Sequence, residues 1–412
     1  MSGTIVIVGA GHAAGQASAS LRQKGYTGRI VMVGEEAFVP YQRPPLSKKF
    51  LAGELKIEQL YFKPENFYPD KDIELRLSTR VTNIDRAARN VSLDNGETLE
   101  YEKLLLCTGG HVRKLETPGS NLAGIHYLRS IEDVLEIQKS FKAGTRLVIV
   151  GGGYVGLEVA AVAVERGLDV TLLESEDRVM SRVTGAEVSR FFQRRHREAG
   201  VRMEFGRLVE GFRGDGTIAE VVCADDSAIA ADLCIVGVGI LPNTDIAEDA
   251  GIECDDGILV DECCQTSDPD ILAAGDCTKH PSSIFERTFR LESVHNAIEQ
   301  GKTAAATICG ERTPYNQAPW FWSDQYDIKL QIVGIHLGCD NLVVRGDPAS
   351  NSFAAFYFIG NRLMAVDAIN SPREFMLGKK LVTAKATFDL SELADESNDF
   401  KELATAALNT AG

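Results

Sequence analysis

The stretch IVIVGAGHAAGQASASLRQKGYTGRIVMVGEE, residues 5–36, reads as strand, glycine turn, small-residue helix and second strand in succession. That is the grammar of one βαβ unit. It returns in RLVIVGGGYVGLEVAAVAVERGLDVTLLESE, residues 146–176, so the chain carries the unit twice.

Each copy has a fingerprint whose residues answer to a physical demand. In Gly9-x-Gly11-x-x-Ala14, Gly9 permits a tight turn and Gly11 lets the backbone approach a pyrophosphate, while Ala13 and Ala14 let the helix pack close to the strand. The helix N-terminus faces the phosphate charge. Glu35, closing the next strand, is placed to accept both ribose hydroxyls of an adenosine. Gly151-x-Gly153-x-x-Gly156 repeats the pattern, with Glu174 in the ribose position. A carboxylate there repels a 2′-phosphate, which favours NADH over NADPH. Arg178 and Arg182 lie nearby in sequence and read as solvated charges.

Outward from the two copies, the rest of the chain falls into place. Short strand segments with turn signals such as Asn95-Gly96 form an expected three-stranded excursion that returns to the first sheet at 103–108. The segment 221–244 closes the second domain, and DILAAGDC at 270–277 reads as a buried strand crossing back into the first. From about Trp322, period-two stretches predict a small antiparallel sheet, then a lysine-bearing helix and a polar tail. The expected architecture is α/β: two Rossmann-like dinucleotide-binding domains in the manner of glutathione reductase, plus a small α+β C-terminal domain. The expected boundaries are 1–113 and 245–321 for a discontinuous first domain, 114–244 for the second and 322–412 for the third.

At 412 residues and 44% hydrophobic, the chain is long enough for two or three cores. No apolar run reaches the length of a membrane helix. The N-terminus lacks the basic start of a signal peptide and reads as a buried strand of a cytoplasmic protein. A formal charge of −16 argues against nucleic acid as a partner. Nine cysteines are scattered without C-x-x-C spacing, so no metal site is expected and the thiols read as buried in a reducing compartment.

VGAGHAAG (8–15), RPPLSKKFL (43–51), LLLCTGG (104–110), GGGYVGLEVAA (151–161), GVGILPNT (237–244), DILAAGDC (270–277), RLESVHNAIEQG (290–301) and APWFWSDQY (318–326) together resemble the two-dinucleotide flavoprotein family. Within it they resemble the NADH-dependent ferredoxin reductases of bacterial oxygenase systems. The resemblance runs over nearly the whole chain, and PPLSK with PWFWSDQY is its most specific part. It implies FAD in the first fold, with Gly9, Gly11, Ala13, Ala14 and Glu35 at the adenosine diphosphate and Val81 at the adenine. Arg129 lies nearby, Asp276 on the ribityl chain and Val294 beside the ring, with Arg43, Thr108, Gly109 and Trp320 completing the set. It implies NADH in the second fold, held by Gly151, Gly153, Tyr154, Gly156, Glu174 and Gly239. Lys48 resembles the lysine beside the reactive edge of the flavin, where a positive charge stabilises the reduced ring, and Glu158 the glutamate that pairs with it. Trp320 and Trp322 are the only tryptophans; in the family this segment lies between flavin and docking surface, the alternative being core aromatics. Cys107 stands where an alanine is usual, and His12 sits inside the first fingerprint; small effects on flavin packing are expected.

Disulfide reductases of this fold need a cysteine pair facing the flavin, and the related oxidases a single cysteine. YQRPPLSKK contains none, so electrons are expected to leave to a docking partner. NADH delivers two electrons as hydride and a 2Fe-2S ferredoxin takes one at a time, so the flavin is the converter. Ferredoxins are acidic, and Lys302, Lys379, Lys380 and Lys401 match positions where the resembling reductases carry docking charges. The expected activity is an FAD-dependent NADH:ferredoxin oxidoreductase, a monomer, supplying a cytochrome P-450 type monooxygenase. A ring-hydroxylating dioxygenase or rubredoxin system, or an NADH-sensing flavoprotein without a ferredoxin, stays open as an alternative.

Overall fold

In the computed structural model, which describes residues 3–410, the apolar run that opens the chain is the strand Thr4–Val8, central in a five-stranded parallel sheet. Its neighbours are Lys103–Leu106 and then Ile271–Ala273 on one side, Arg29–Val33 and then Ile73–Arg76 on the other. Side chains alternate across a strand. Ile5 and Ile7 therefore join one apolar core, and Val6 and Val8 the other. A strand buried on both faces needs the near-continuous apolar run that the sequence shows. The excursion between the second and third connections is the antiparallel sheet Val81–Asp85, Asn90–Leu93 and Thr98–Glu100.

This sheet belongs to the first of two compact units, made of Met1–Gln42, Ile57–His111 and Leu241–Pro319. Two helices in it, His12–Gln23 and Val294–Ile308, approach closely because small residues line both: Ala13, Ala14 and Ala17 on one, Gly301, Ala304 and Ala305 on the other. A Cβ at Gly301 would lie 2.7 Å from the Ala13 carbonyl oxygen.

The second unit comprises Arg43–Lys56, Val112–Ile240 and Trp320–Gly412. Its parallel sheet runs Arg202–Phe205, Asp169–Glu174, Arg146–Val150, Leu233–Val236, Ile125–Tyr127, with the helix Tyr154–Glu165 following its central strand. The C-terminal portion of the same unit is an antiparallel sheet in the order Trp320–Gln325, Ile328–Gly334, Arg362–Ile369, Ser352–Ile359, Asn341–Asp347. It begins at Trp320, two residues before the sequence reading starts it. Ser352–Ile359 is buried at every inner position because each face is covered. Phe353 and Tyr357 meet Phe191 and the backbone of Gly185, while Phe356 and Phe358 meet Phe400 and Phe388.

The predicted lysine-bearing helix is Pro372–Thr383. The expected polar tail is not loose: it contains the helices Leu390–Ala394 and Phe400–Thr410. Phe400, Ala404 and Ala407 form a narrow apolar stripe at helical spacing that docks the helix on the sheet. Among the described residues no helix is long and apolar enough to cross a membrane.

The helix crossing makes a prediction with a sign. Replacing a helix glycine by alanine ordinarily stabilises by about 1 kcal/mol. Gly301→Ala should instead destabilise, by about 1–3 kcal/mol, because the added methyl meets backbone that cannot move aside. Urea unfolding of the two proteins checks this; a higher midpoint for the variant would refute it.

Candidate functional site: two glycine turns and a buried ion pair

Both fingerprint turns are built by the same backbone constraint. Gly9 has φ +108 and Gly151 φ +106, and a Cβ at either would collide with a carbonyl oxygen of the neighbouring strand connection, that of Cys107 at 2.2 Å and of Gly237 at 2.4 Å. The second glycine of each turn faces open space: a Cβ at Gly11 or Gly153 would meet nothing within 4 Å. Gly156 is needed for a third reason, since its Cβ would lie 2.1 Å from the Gly151 carbonyl oxygen.

The helices that follow begin unusually. His12–Gln23 and Tyr154–Glu165 start from Gly11 and Gly153 with no capping side chain and no acidic residue in the first turn. Ile131–Ser140 has a full capping box from Ser130 and Asp133, and Val294–Ile308 is capped by Ser293. Ala186–Glu198, Pro372–Thr383 and Phe400–Thr410 each carry a glutamate in the first turn. The first backbone N–H groups of a helix need acceptors. At the two fingerprints no side chain caps the helix start, which is the arrangement that receives a phosphate.

In the first unit the structure assembles most of the expected flavin residues around one edge of the sheet. Ala13 lies against the Gly275 turn that precedes Asp276, where a Cβ would be 3.2 Å away. Thr108 and Gly109 follow the strand Lys103–Leu106; Thr108 Oγ1 donates to the Asn243 carbonyl at 2.7 Å, and Asn243 N donates to Gly109 O at 2.9 Å. Val294 opens its helix directly after the Ser293 cap, and Val81 is buried at the start of the excursion sheet. Glu35 is exposed and ion-paired with Arg80. Cys107 is buried, and burial drives its thiol well above the usual range, so it packs as an inert side chain. His12 is buried with its ring edge-on to Phe62.

Arg43, Lys48, Arg129 and Trp320, also expected at the flavin, lie in the second unit. Arg43 donates to the Arg129 carbonyl at 2.6 Å. Glu174 ends its strand beside the second glycine turn, where Oε2 accepts from Gly152 N at 2.7 Å and Oε1 from Glu176 N at 3.0 Å. Arg178 is consumed by the Ser181 and Thr184 carbonyls and Ser189 Oγ, which takes it out of reach as a phosphate ligand. Gly239 has φ +103 and accepts from Arg113 N at 3.0 Å.

Glu158 is the charged centre of this unit. It is 4% exposed, one turn into the helix that starts at Tyr154. Lys48 Nζ stands 2.7 Å from its Oε2 and also donates to the Pro44 carbonyl at 3.1 Å. Ser47 donates to Oε2, and Ser323 donates to Oε1 at 2.6 Å. Burial, with Asp367 and Glu158 close by, raises the Tyr154 hydroxyl well above its usual range.

Trp320 stacks at 5.4 Å from Trp322 and 5.5 Å from Phe375, and Lys379 sits 5.0 Å over the Trp320 ring. Lys379 is thus held in a cation–π contact, not extended into solvent. Lys302, Lys380 and Lys401 are exposed, and Lys302 is paired with Glu299 at 2.7 Å.

Residues 3–301 match the family described as pyridine nucleotide-disulphide oxidoreductase, and residues 320–404 the reductase C-terminal family. The chain belongs to the first, and its residues 320–404 carry the C-terminal domain of the second. It is 42% identical, over 98% of its length and 97% of the other's, to putidaredoxin reductase CamA of Pseudomonas putida. Its fold matches putidaredoxin reductase in the crystallised covalent complex with putidaredoxin, with a TM-score of 0.96, 42% identity and coverage of 98% and 99% of the two chains. It likewise matches the ferredoxin reductase for the CYP199A2 system from Rhodopseudomonas palustris, with a TM-score of 0.94, 40% identity and coverage of 97% and 99%.

As a pyridine nucleotide-disulphide oxidoreductase family member the chain uses FAD and a nicotinamide dinucleotide. The residues present fit both groups: each uncapped helix stands behind a glycine whose missing side chain leaves a cradle open. Several site residues escape a reading of the sequence. Ser47 and Ser323 sit inside quoted motifs but read as turn and strand residues until the fold brings them to Glu158. Asp367 did leave a signal, a lone acid in the apolar run RLMAVDAI. It is fully buried and accepts from Tyr357 at 2.8 Å and from Thr184, while Oδ1 has no hydrogen-bond partner among the described residues.

Burial pushes the Asp367 carboxyl up to about 7. The folded protein therefore keeps a proton that the unfolded chain releases near pH 4, and stability falls as pH rises through that window up to about 7. Asp367→Asn removes the titrating group. Between about pH 5 and about pH 8 the variant should lose less unfolding free energy than the wild type. Urea titrations at both values test this, and parallel losses would refute it.

Proposed function

We propose that this chain is an FAD-containing NADH:ferredoxin reductase that feeds a 2Fe-2S ferredoxin and, through it, a cytochrome P-450 type monooxygenase. The buried Lys48–Glu158 ion pair on the second glycine helix carries the reading, in a chain whose YQRPPLSKK segment has no thiol to relay electrons. Two relatives add support through their partners: one is crystallised with putidaredoxin, the other belongs to the CYP199A2 system. When bound, FAD accepts two electrons together and releases them singly. One NADH and two oxidised ferredoxins give NAD⁺, two reduced ferredoxins and one proton.

The chain's own residues divide the work. Gly9, Gly11 and the helix N–H groups behind them hold the FAD pyrophosphate, with Ala13 and Ala14 permitting close packing and Glu35 and Val81 meeting the adenosine. Thr108, Gly109, Asp276 and Val294 complete the flavin contacts of the first unit, and Arg43, Arg129 and Trp320 those of the second. Gly151, Gly153, Tyr154, Gly156 and Gly239 hold NADH, and Glu174 accepts its ribose hydroxyls. Lys48, fixed by Glu158, presents positive charge where negative charge builds up during hydride transfer. Functionally the chain divides into an FAD-binding part, 1–113 and 245–321, an NADH-binding part, 114–244, and a C-terminal part, 322–412. The protein acts as a monomer in the cytoplasm, where its nine free cysteines stay reduced.

Ferredoxin docking rests on the exposed Lys380 and Lys401, while Lys379 braces Trp320 and Lys302 pairs with Glu299. Two measurements test the reading. Glu174→Ala should raise the Michaelis constant for NADH about tenfold with little change in turnover, since it removes hydrogen bonds to a charged acceptor. Unchanged NADH kinetics would remove Glu174 from the site. Lys380→Gln with Lys401→Gln should slow ferredoxin reduction at low salt, and the gap should narrow as salt is added. Dye reduction by NADH, which needs no docking, should keep its rate. Equal loss of both activities would place these lysines outside docking.

A further inference from the structure

Glu158 is the terminus of a longer hydrogen-bonded system. Ser323 Oγ, which donates to Glu158 Oε1 at 2.6 Å, itself accepts from Gln325 Nε2 at 3.0 Å. Gln325 Oε1 lies 2.8 Å from His196 Nε2, and His196 Nδ1 lies 2.9 Å from the Tyr326 hydroxyl. Ser323 and His196 are fully buried and Gln325 is 1% exposed. All belong to the second unit, with His196 on the helix Ala186–Glu198 and the others in or just after the strand Trp320–Gln325.

Chemistry orients this chain. A carboxylate only accepts, so Ser323 must donate to Glu158. The serine lone pair then receives the amide Nε2–H of Gln325, and the amide oxygen, which only accepts, requires the proton of His196 on Nε2. That leaves Nδ1 to accept from Tyr326. Burial pushes the imidazole down to about 4, so a neutral ring with one donor and one acceptor is the form present near neutral pH. Every donor points the same way, from Tyr326 toward Glu158.

We propose that Tyr326, His196, Gln325 and Ser323 are positioning residues for hydride transfer, a one-way hydrogen-bond chain that holds the Glu158 carboxylate in place to anchor Lys48. The proposal rests on the reductase reading above. It explains two side chains of WSDQY that packing alone does not require: a hydroxyl and an amide in a buried strand end, each hydrogen-bonded to its neighbour. Ser47 and Lys48 load one carboxylate oxygen of Glu158 and the chain loads the other, so loss of the chain frees the carboxylate to rotate away from Lys48.

The test uses the FAD-loaded protein in two measurements. Nitrogen-15 NMR of imidazole-labelled protein near pH 7 should show His196 as the neutral Nε2–H tautomer; an Nδ1–H tautomer or an imidazolium overturns the polarity. Stopped-flow bleaching by NADH should show the limiting rate falling about tenfold in Ser323→Ala, with NADH affinity and flavin content unchanged. Gln325→Glu, nearly isosteric but without the amide donor, should fall as far. Ser323→Thr keeps the hydroxyl and should recover most of the rate. Wild-type rates in Ser323→Ala overturn the proposal, and so does a threonine variant as slow as alanine, because packing would then be the cause. A wild-type protein that NADH leaves oxidised would sink the reductase reading and the chain's role in hydride transfer together, while the His196 spectrum still reports the polarity independently.

Discussion

A carboxylate taken almost wholly out of water must be met by opposite charge and by donors on its remaining lone pairs, or it destabilises the fold by several kcal/mol. Glu158 meets that demand from three directions. Lys48 and Ser47 come from the segment Arg43–Lys56, Ser323 comes from the C-terminal sheet, and Glu158 itself rides on the dinucleotide helix Tyr154–Glu165. Satisfying one buried charge thus ties together three stretches of chain that are far apart in sequence. The segment Arg43–Lys56 groups with the second compact unit, and not with the sequence on either side of it.

The two glycine turns impose the complementary constraint. Where Glu158 is met by several donors, the helices behind Gly11 and Gly153 have neither a capping side chain nor an acidic first turn. A glycine N-cap lowers stability by roughly a few tenths of a kcal/mol relative to a serine or aspartate cap. Both fingerprints accept that loss at the same structural position, where the helix N-terminus favours negative charge. Elsewhere among the described residues α-helix starts are capped or acidic, as at Ser130, Ser293 and Glu187.

The C-terminal sheet adds rigidity to this arrangement. Its central strands are buried on both faces, so its first strand, Trp320–Gln325, cannot shift without disturbing Ser323 on one side and the Trp320, Phe375 and Lys379 stack on the other. Asp367, a buried carboxyl whose titration burial raises to about 7, fastens the same sheet to Thr184 by accepting from its hydroxyl instead of forming an ion pair.

Much of this was legible in the residues themselves. The βαβ units, the return of Lys103–Leu106 to the first sheet and the crossing back of Ile271–Ala273 all follow from local rules: positive φ at glycine, small residues at a close approach, apolar runs for strands buried on two faces. The tail helix Phe400–Thr410, read from the sequence only as a polar tail, has its three buried anchors Phe400, Ala404 and Ala407 at helical spacing. Tertiary structure alone decided that Lys379 braces a tryptophan, that Lys302 is paired and that Ser323, Gln325, His196 and Tyr326 form one chain ending on Glu158. Periodicity reports which face of an element is buried. It does not report which distant polar group will stand opposite, because hydrogen-bond partners are chosen by how the elements pack and not by the chain that links them.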